Sequence, residues 1–169
     1  NFICCFILSF GGIYNEEFDN AIHSDWTALN GTWSEIGGYL IQDDVSIGLN
    51  QRASVPVNQN EVEFFYHFRA KLSQGIDNRR MAIQIMSSTA NPNNSANYSY
   101  QALFNADEDE VEIFKVDSGN STSIIVFSGV DIKLNTFQDY MVVYNRSSGS
   151  MMLFVDYAYI GSYTDTSSP

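Results

Sequence analysis

Residues 61–73 read EVEFFYHFRAKLS, and the alternation through this stretch decides the fold class. In an extended chain successive side chains point to opposite faces. Val62, Phe64, Tyr66, Phe68, Ala70 and Leu72 therefore share one side, and Glu63, Phe65, His67, Arg69 and Lys71 the other. The first set reads as a core face and the second as a surface. Residues 81–86 (MAIQIM) repeat the pattern, and the polar loop 87–97 that follows holds the turn-forming run Asn91-Pro92-Asn93-Asn94.

Downstream, residues 98–105 and 111–116 predict a hairpin across 106–110. The next reversal is Asp117-Ser118-Gly119-Asn120, and the chain returns through 123–127, where the unbroken run Ile124-Ile125-Val126-Phe127 predicts a strand buried on both faces. Residues 137–145 pair with 151–155 across Arg146-Ser147-Ser148-Gly149, with glycine where a positive φ is needed. A short reversal at 156–159 leads into 160–163. From residue 16 onward no helical periodicity lasts longer than a turn or two. Short strands with turn signals every 8–12 residues predict an all-β fold, an antiparallel β-sandwich of the jelly-roll kind.

A chain of 169 residues is long enough to bury a core as one domain. Twelve Phe and ten Tyr fit the pleated, half-buried surfaces of sheets. Twenty Asp and Glu against eight Lys and Arg leave a formal charge of −12, which opposes binding to phosphate backbones or anionic membranes and makes nucleic acid a poor partner. The cysteines, Cys4 and Cys5, are adjacent and would face opposite ways in a strand, so the fold is not built on disulfides. N-glycosylation acceptor sequons begin at Asn30, Asn93, Asn97, Asn120 and Asn145, each in a stretch that reads as turn or loop. They favour a secreted, extracellular or cell-surface protein. No apolar run reaches the ~20 residues that a membrane-spanning helix requires.

Residues 2–10, FICCFILSF, are apolar at eight of nine positions and must be covered. Three readings compete: the apolar region of a secretory signal, an internal strand, or a strand offered to another molecule. No basic residue precedes the run and no small-x-small cleavage pattern follows it cleanly, which disfavours the signal. The expected organisation is an apolar N-terminal strand or extension over 1–14 and a sandwich domain over 15–169.

Phe18-Asp19-Asn20, Trp26, Gly31-Thr32-Trp33 and Gly38-Tyr39-Leu40 form the pattern FDN…W…GTW…GYL. With the later hairpins over 100–104, 111–116, 140–144 and 152–161, this resembles jelly-roll modules of the concanavalin A-like lectin and glucanase superfamily, laminin-G-like domains among them. The resemblance covers about residues 16–165 and speaks to fold far more than to activity. Such domains are expected to close with one more apolar strand after the reversal matching Val155-Asp156, and they have no counterpart of residues 2–10. A surplus strand and a vacant place suggest strand donation, within the subunit or to a neighbour. The assembly strand would then use Phe2, Ile3, Phe6, Ile7, Leu8 and Phe10.

The resemblance also implies a concave sugar-binding face. If residues 61–73, 81–86 and 98–105 lie side by side, His67, Arg69, Gln84 and Gln101 share the non-core face, with Phe65 as an apolar platform; an ordinary solvent face is the alternative. Laminarinase-type relatives carry Glu-x-Asp-x-x-Glu on a strand. Here Asp107, Asp109 and Glu112 have the spacing but not the first residue, and they sit at a hairpin tip, so a glycoside hydrolase is disfavoured. Asp107 and Asp109 are candidate ligands for calcium as a cofactor, against a solvated acidic turn. Asp19 and Asp165 are the residue types that a structural calcium of related jelly rolls would use, although Asx turns are preferred at both. His23 and His67 do not make a zinc cluster. The leading expectation is a non-catalytic extracellular structural or adhesive subunit, forming a homo-oligomer or filament by strand exchange. The alternative is a lectin-like glycan-binding module, and a glycoside hydrolase comes third.

Overall fold

A computed structural model describes residues 2–7, 26–42, 52–55, 60–73, 79–87, 98–118 and 120–167. These form thirteen strands: β1 (Phe2–Ile7), β2 (Thr27–Asn30), β3 (Trp33–Glu35), β4 (Leu40–Gln42), β5 (Arg52–Ser54), β6 (Glu63–Leu72), β7 (Arg80–Ile85), β8 (Tyr98–Asn105), β9 (Glu110–Asp117), β10 (Asn120–Ser128), β11 (Gln138–Asn145), β12 (Ser150–Val155) and β13 (Ala158–Thr164). They make a seven-stranded sheet in the order β13-β12-β11-β6-β1-β4-β3, a four-stranded sheet β10-β9-β8-β7, and a β2-β5 ribbon. Every strand pair is antiparallel. The expected all-β sandwich is the observed fold.

Alternation along 61–73 works as the sequence implies. Phe64, Phe68, Ala70 and Leu72 of β6 point into the core with Tyr140, Val142 and Tyr144 of β11 and Met151, Leu153 and Val155 of β12. Opposite them stand Met81, Ile83 and Ile85 of β7, Tyr100, Ala102 and Phe104 of β8, and Val111 and Ile113 of β9. Phe104 meets Tyr140 edge-on at 4.8 Å and Phe68 at 5.9 Å, and Phe68 lies parallel to Tyr140 at 5.3 Å. These three rings tie the two sheets together. Trp26 and Leu40, with Trp33, Ala53 and Val55 against them, form a smaller cluster, which gathers part of the FDN…W…GTW…GYL pattern.

The turns also follow local chemistry. Gly149 has φ +67°, and a Cβ there would stand 2.3 Å from the Asp165 carbonyl oxygen, so glycine is required on both counts. Asp156 and Tyr157 both adopt left-handed conformations, the arrangement of a two-residue hairpin turn of the primed type.

One expectation needs correction, and a second is narrowed. The run at 124–127 is not buried on both faces. β10 is an edge strand hydrogen-bonded to β9 alone, its register slips between Ser123 and Ile125, and Val126 is 45% exposed. A continuous apolar run cannot by itself tell a central strand from a bulged edge.

The second concerns β1. It lies inside its own chain's seven-stranded sheet, between β6 and β4, so of the two placements expected for this strand the one within the subunit is the one observed. Phe2, Cys4 and Phe6 are in register with Leu72, Ala70 and Phe68, while Ile3 and Ile7 are in register with Lys71 and His67. On the other edge Phe2, Ile3 and Cys4 pair with Gln42, Ile41 and Leu40. Over Phe2–Cys4 the backbone is thus paired on both sides and offers no free edge to a second subunit, while Cys5–Ile7 pair with β6. Leu8 and Phe10 lie outside the described residues.

Deleting residues 1–7 is expected to expose the facing edges of β6 and β4, to lower the thermal midpoint and to promote aggregation. Loss of an assembled form with an unchanged midpoint would restore the exchange arrangement. Phe104→Ala, which empties the ring cluster, is expected to cost about 3–5 kcal/mol in chemical denaturation.

Candidate functional site

Because even-numbered residues of β6 are committed to the core, its odd-numbered residues Phe65, His67, Arg69 and Lys71 face outward on the seven-stranded sheet. Phe137, one residue before β11, presents its ring to two of them. The Arg69 guanidinium carbon is 5.6 Å and the Lys71 ammonium 5.1 Å from the ring centroid. Both distances suit cation–π attraction.

Tyr39 completes this group from the other side. It follows Gly37 and Gly38, both at positive φ, in a turn closed by the Ile36 N–H donating to the Tyr39 carbonyl at 3.0 Å. The Gly38 N–H donates to Glu35 Oε1 at 3.3 Å. The Tyr39 ring stacks on Phe137 at 4.9 Å with 24° between planes. In strand order β1 and β6 lie between the strands that carry these rings, so the stack bridges the middle of the sheet. Tyr39 is 37% exposed, which leaves part of the stack open to solvent.

Farther along the same face, His67 Nε2 lies 2.9 Å from Asp139 Oδ1. Asp139 is held from behind by the β12–β13 turn. Its N–H donates to Asp156 Oδ1 at 2.9 Å, and the Asp156 N–H donates to its carbonyl at 2.7 Å. Buried Gln138 supports the turn: its Nε2 donates to Asp156 Oδ2 and to the Asp131 carbonyl, and its Oε1 accepts from the Lys133 N–H and the Tyr140 hydroxyl. Tyr157, at the tip of the turn, stands 6.1 Å from the His67 ring and is 69% exposed. Tyr159 meets Phe154 edge-on at 5.6 Å. The face thus carries aromatic rings, two cations and a His–Asp pair on a hydrogen-bonded floor.

The five residues expected to share one sugar face are divided by the fold. Phe65, His67 and Arg69 lie on the outer face of the seven-stranded sheet. Gln84 and Gln101 pair directly with each other on the four-stranded sheet, where their neighbours in sequence, Ile83, Ile85, Tyr100 and Ala102, fill the core. The glutamines therefore face away from the opposite side of the sandwich, and Gln84 Nε2 donates to Ser99 Oγ at 2.5 Å. The expectation failed because it took β6 and β7 as neighbours, whereas the connection between them crosses from one sheet to the other. Tyr39 and Phe137, which the fold brings to this face, were not among the expected residues. An aromatic after a Gly-Gly turn and another just outside a strand were the available signals.

The acidic hairpin tip is not arranged as a calcium site. The Asp107 carboxylate is occupied by Arg79, whose backbone N–H donates at 2.8 Å and whose Nε donates at 2.5 Å, with Nη2 also in ion-pair contact. A guanidinium in that position opposes a divalent cation. Asp109 takes a left-handed turn conformation, and its carbonyl accepts from the Val130 N–H at 2.8 Å. The Glu110 carboxyl is pushed up by a hydrogen bond with the Glu108 side chain, then by partial burial and the charges of Glu108 and Glu112. Among the described residues no three His, Cys, Asp or Glu side chains come together to hold a metal. Glu112 stays on the strand, apart from the outer face of the other sheet.

No family model and no curated protein matches the chain in sequence. A solved structure does match in fold. The carbohydrate-binding module CBM66 from Bacillus subtilis superposes with a TM-score of 0.53 at 16% identity, over 85% of this chain and 81% of that one. At that identity the likeness speaks to fold. It establishes a β-sandwich fold shared with that module, a coarser statement than the concanavalin A-like superfamily suggested by the aromatic and glycine pattern.

Of the expected acceptor residues, Asn120 is exposed at the start of β10. Asn145 turns its Oδ1 inward on the β11–β12 loop, accepting from the Ser147 and Ser148 N–H groups at 3.1 Å each. Asn30 ends β2. Asn93 and Asn97, like Asp19 and His23, lie outside the described residues.

Asp165 takes the Asx-turn alternative. Its Oδ1 accepts from the Ser167 N–H at 2.8 Å and hydroxyl at 2.6 Å. Its Oδ2 accepts from the Lys115 ammonium at 2.6 Å and the Tyr100 hydroxyl at 2.7 Å. Burial alone would raise this carboxyl, but the bonds from Lys115, Ser167 and Tyr100 outweigh it and hold it well below the usual carboxylate range. With an ammonium on Oδ2, the group is a latch between the end of β13 and the four-stranded sheet. Because the folded carboxyl titrates below its unfolded value, its contribution is complete above about pH 4 and is lost as the pH falls from there. Asp165→Asn is expected to cost about 2 kcal/mol at pH 7 and to flatten the decline of the thermal midpoint between about pH 4 and 2. Equal acid sensitivity in the variant and the parent would exclude the latch.

Proposed function

We propose that this protein is a non-catalytic glycan-binding module that acts outside the cell, with the outer face of the seven-stranded sheet as its binding surface. The observation that carries the reading is the Tyr39–Phe137 stack with Arg69 and Lys71 seated on Phe137. Sugars offer apolar C–H faces ringed by hydroxyls. They are recognised by aromatic surfaces that cover the C–H face and by a few well-placed polar groups that fix orientation. Stacked rings, two cationic donors and the His67–Asp139 pair supply both kinds of contact on one open sheet face. An open face suits a chain of sugars better than a single small molecule, because a polymer can lie across several strands.

Two further observations support the reading. The fold neighbour is named as a carbohydrate-binding module. Five acceptor sequons and the acidic composition suit a protein exposed outside the cell. The FDN…W…GTW…GYL pattern keeps a place among lectin-like jelly rolls as part of this proposal. The self-assembling subunit, the leading expectation from the sequence, loses its motive, because the strand meant for exchange is paired within its own sheet.

A glycan array followed by calorimetry on the best ligand tests the function. Tyr39→Ala and Phe137→Ala are each expected to weaken binding by about tenfold, on the order of 1.4 kcal/mol, with little change in thermal midpoint for the exposed Tyr39. Absence of binding across the array, or full affinity in the double variant, would overturn the proposal.

A further inference from the structure

Resting on the glycan-binding reading, we infer that the preferred ligand is a glycan bearing carboxylates on its sugar rings, a uronate polymer, held through Arg69 and Lys71. The inference comes from where the few cations of an acidic chain are placed. The full sequence has eight Lys and Arg against twenty Asp and Glu. Arg79 is committed to Asp107, Lys115 to Asp165, and Lys133 to Asp131. Arg80, on β7 of the other sheet, also has no ion pair among the described residues, and what sets Arg69 and Lys71 apart is that they lie together on one face. They sit two residues apart on the outer face of β6, over the ring of Phe137, and no carboxylate among the described residues lies within ion-pair distance of either.

Among the described residues, the lack of an ion-pair partner is a matter of side-chain placement, not of supply. Asp139 is the direct cross-strand partner of Arg69. Opposite charges in such a pair normally attract, yet Asp139 turns to His67 at 2.9 Å and is fixed there by the Asp156 turn. The structure thus diverts the available carboxylate from Arg69. Among the described residues, two cations seated on an aromatic ring have no carboxylate partner, in a molecule of formal charge −12.

An anion on the ligand complements that arrangement. The guanidinium can bind a carboxylate through two parallel hydrogen bonds, and the ammonium can add a third contact. Phe137 and Tyr39 lie beside them to receive the face of the same or the next sugar. The number of cations also selects among anionic glycans. Two positive groups match one carboxylate per sugar at the site, whereas a densely sulfated chain would carry further anionic charge over an acidic protein and be repelled.

The test uses matched tetrasaccharides in calorimetry on the full chain: galactose against galacturonate, mannose against mannuronate, and a sulfated galactose tetramer. At least one uronate tetramer is expected to bind roughly tenfold or more tightly than its neutral counterpart, the effect of about one charge-assisted hydrogen bond. Raising NaCl from about 50 to about 500 mM should erode that preference, a readout that needs no variant. Arg69→Gln/Lys71→Gln should abolish the uronate-over-neutral ratio. Equal binding of neutral and uronate tetramers would overturn the inference while leaving glycan binding intact. Tighter binding of the sulfated tetramer would overturn the choice of carboxylate. Failure of both members of every pair to bind would overturn the inference together with the glycan reading on which it rests.

Discussion

The contact on which the molecule depends is the three-ring junction of Phe68, Phe104 and Tyr140. Phe68 and Tyr140 come from adjacent strands of the larger sheet and lie nearly parallel, and Phe104 enters edge-on from the smaller sheet. Each ring is essentially fully buried. Large rings contribute area as well as directional contacts, and the edge-to-face arrangement favours a definite spacing between the sheets. With Phe68 committed inward, the pleat leaves His67 and Arg69 no choice but the outer surface. The core and the proposed binding face are thus opposite sides of one strand.

Rigidity of that face comes from a second set of interactions. Gln138 is buried and uses its amide on four partners, joining the 131–133 segment, Tyr140 and the Asp156 turn. The turn in turn fixes Asp139, and Asp139 engages His67. A polar network of this kind is stable inside a protein only when its members are satisfied. Here it leaves Arg69 and Lys71 to Phe137. At the other end of the sandwich the Asp165 latch performs a similar service for the end of β13, using one carboxylate to join Lys115, Tyr100 and Ser167. Neither network was visible as a motif, since the contacts that complete them, His67 with Asp139 and Asp165 with Tyr100 and Lys115, join residues tens of positions apart.

Legibility followed the range of the physics. The faces of β6, β7, β8, β9, β11 and β12, the hairpin turns and the need for glycine at 149 are local, and each could be read from alternation or from turn chemistry. The edge position of β10 could not, because an apolar run records affinity for burial without saying whether a second neighbour is present. The division of Gln84 and Gln101 from His67 and Arg69 was equally hidden, since each residue was correctly placed on an outer face and only the sheet was wrong. Tyr39 and Phe137 meet through a turn and a loop almost a hundred residues apart. No periodicity links them.

Residues 2–10 mark the boundary most clearly. Their composition alone required that they be covered, and the absence of charge and the alternation elsewhere made a strand the natural form. Whether the cover came from the same chain depended on which edges β6 and β4 would otherwise leave open, a property of the assembled sheet. The sequence by itself determined an acidic, all-β chain with an alternating core and an apolar N-terminal segment that needs cover, because burial preference and backbone pleat act between near neighbours. Only the tertiary structure decided that β1 completes its own sheet and that Tyr39, Phe137, Arg69 and Lys71 meet on one face. The order of strands is set by hydrogen bonds and packing between distant segments, which a linear pattern does not encode.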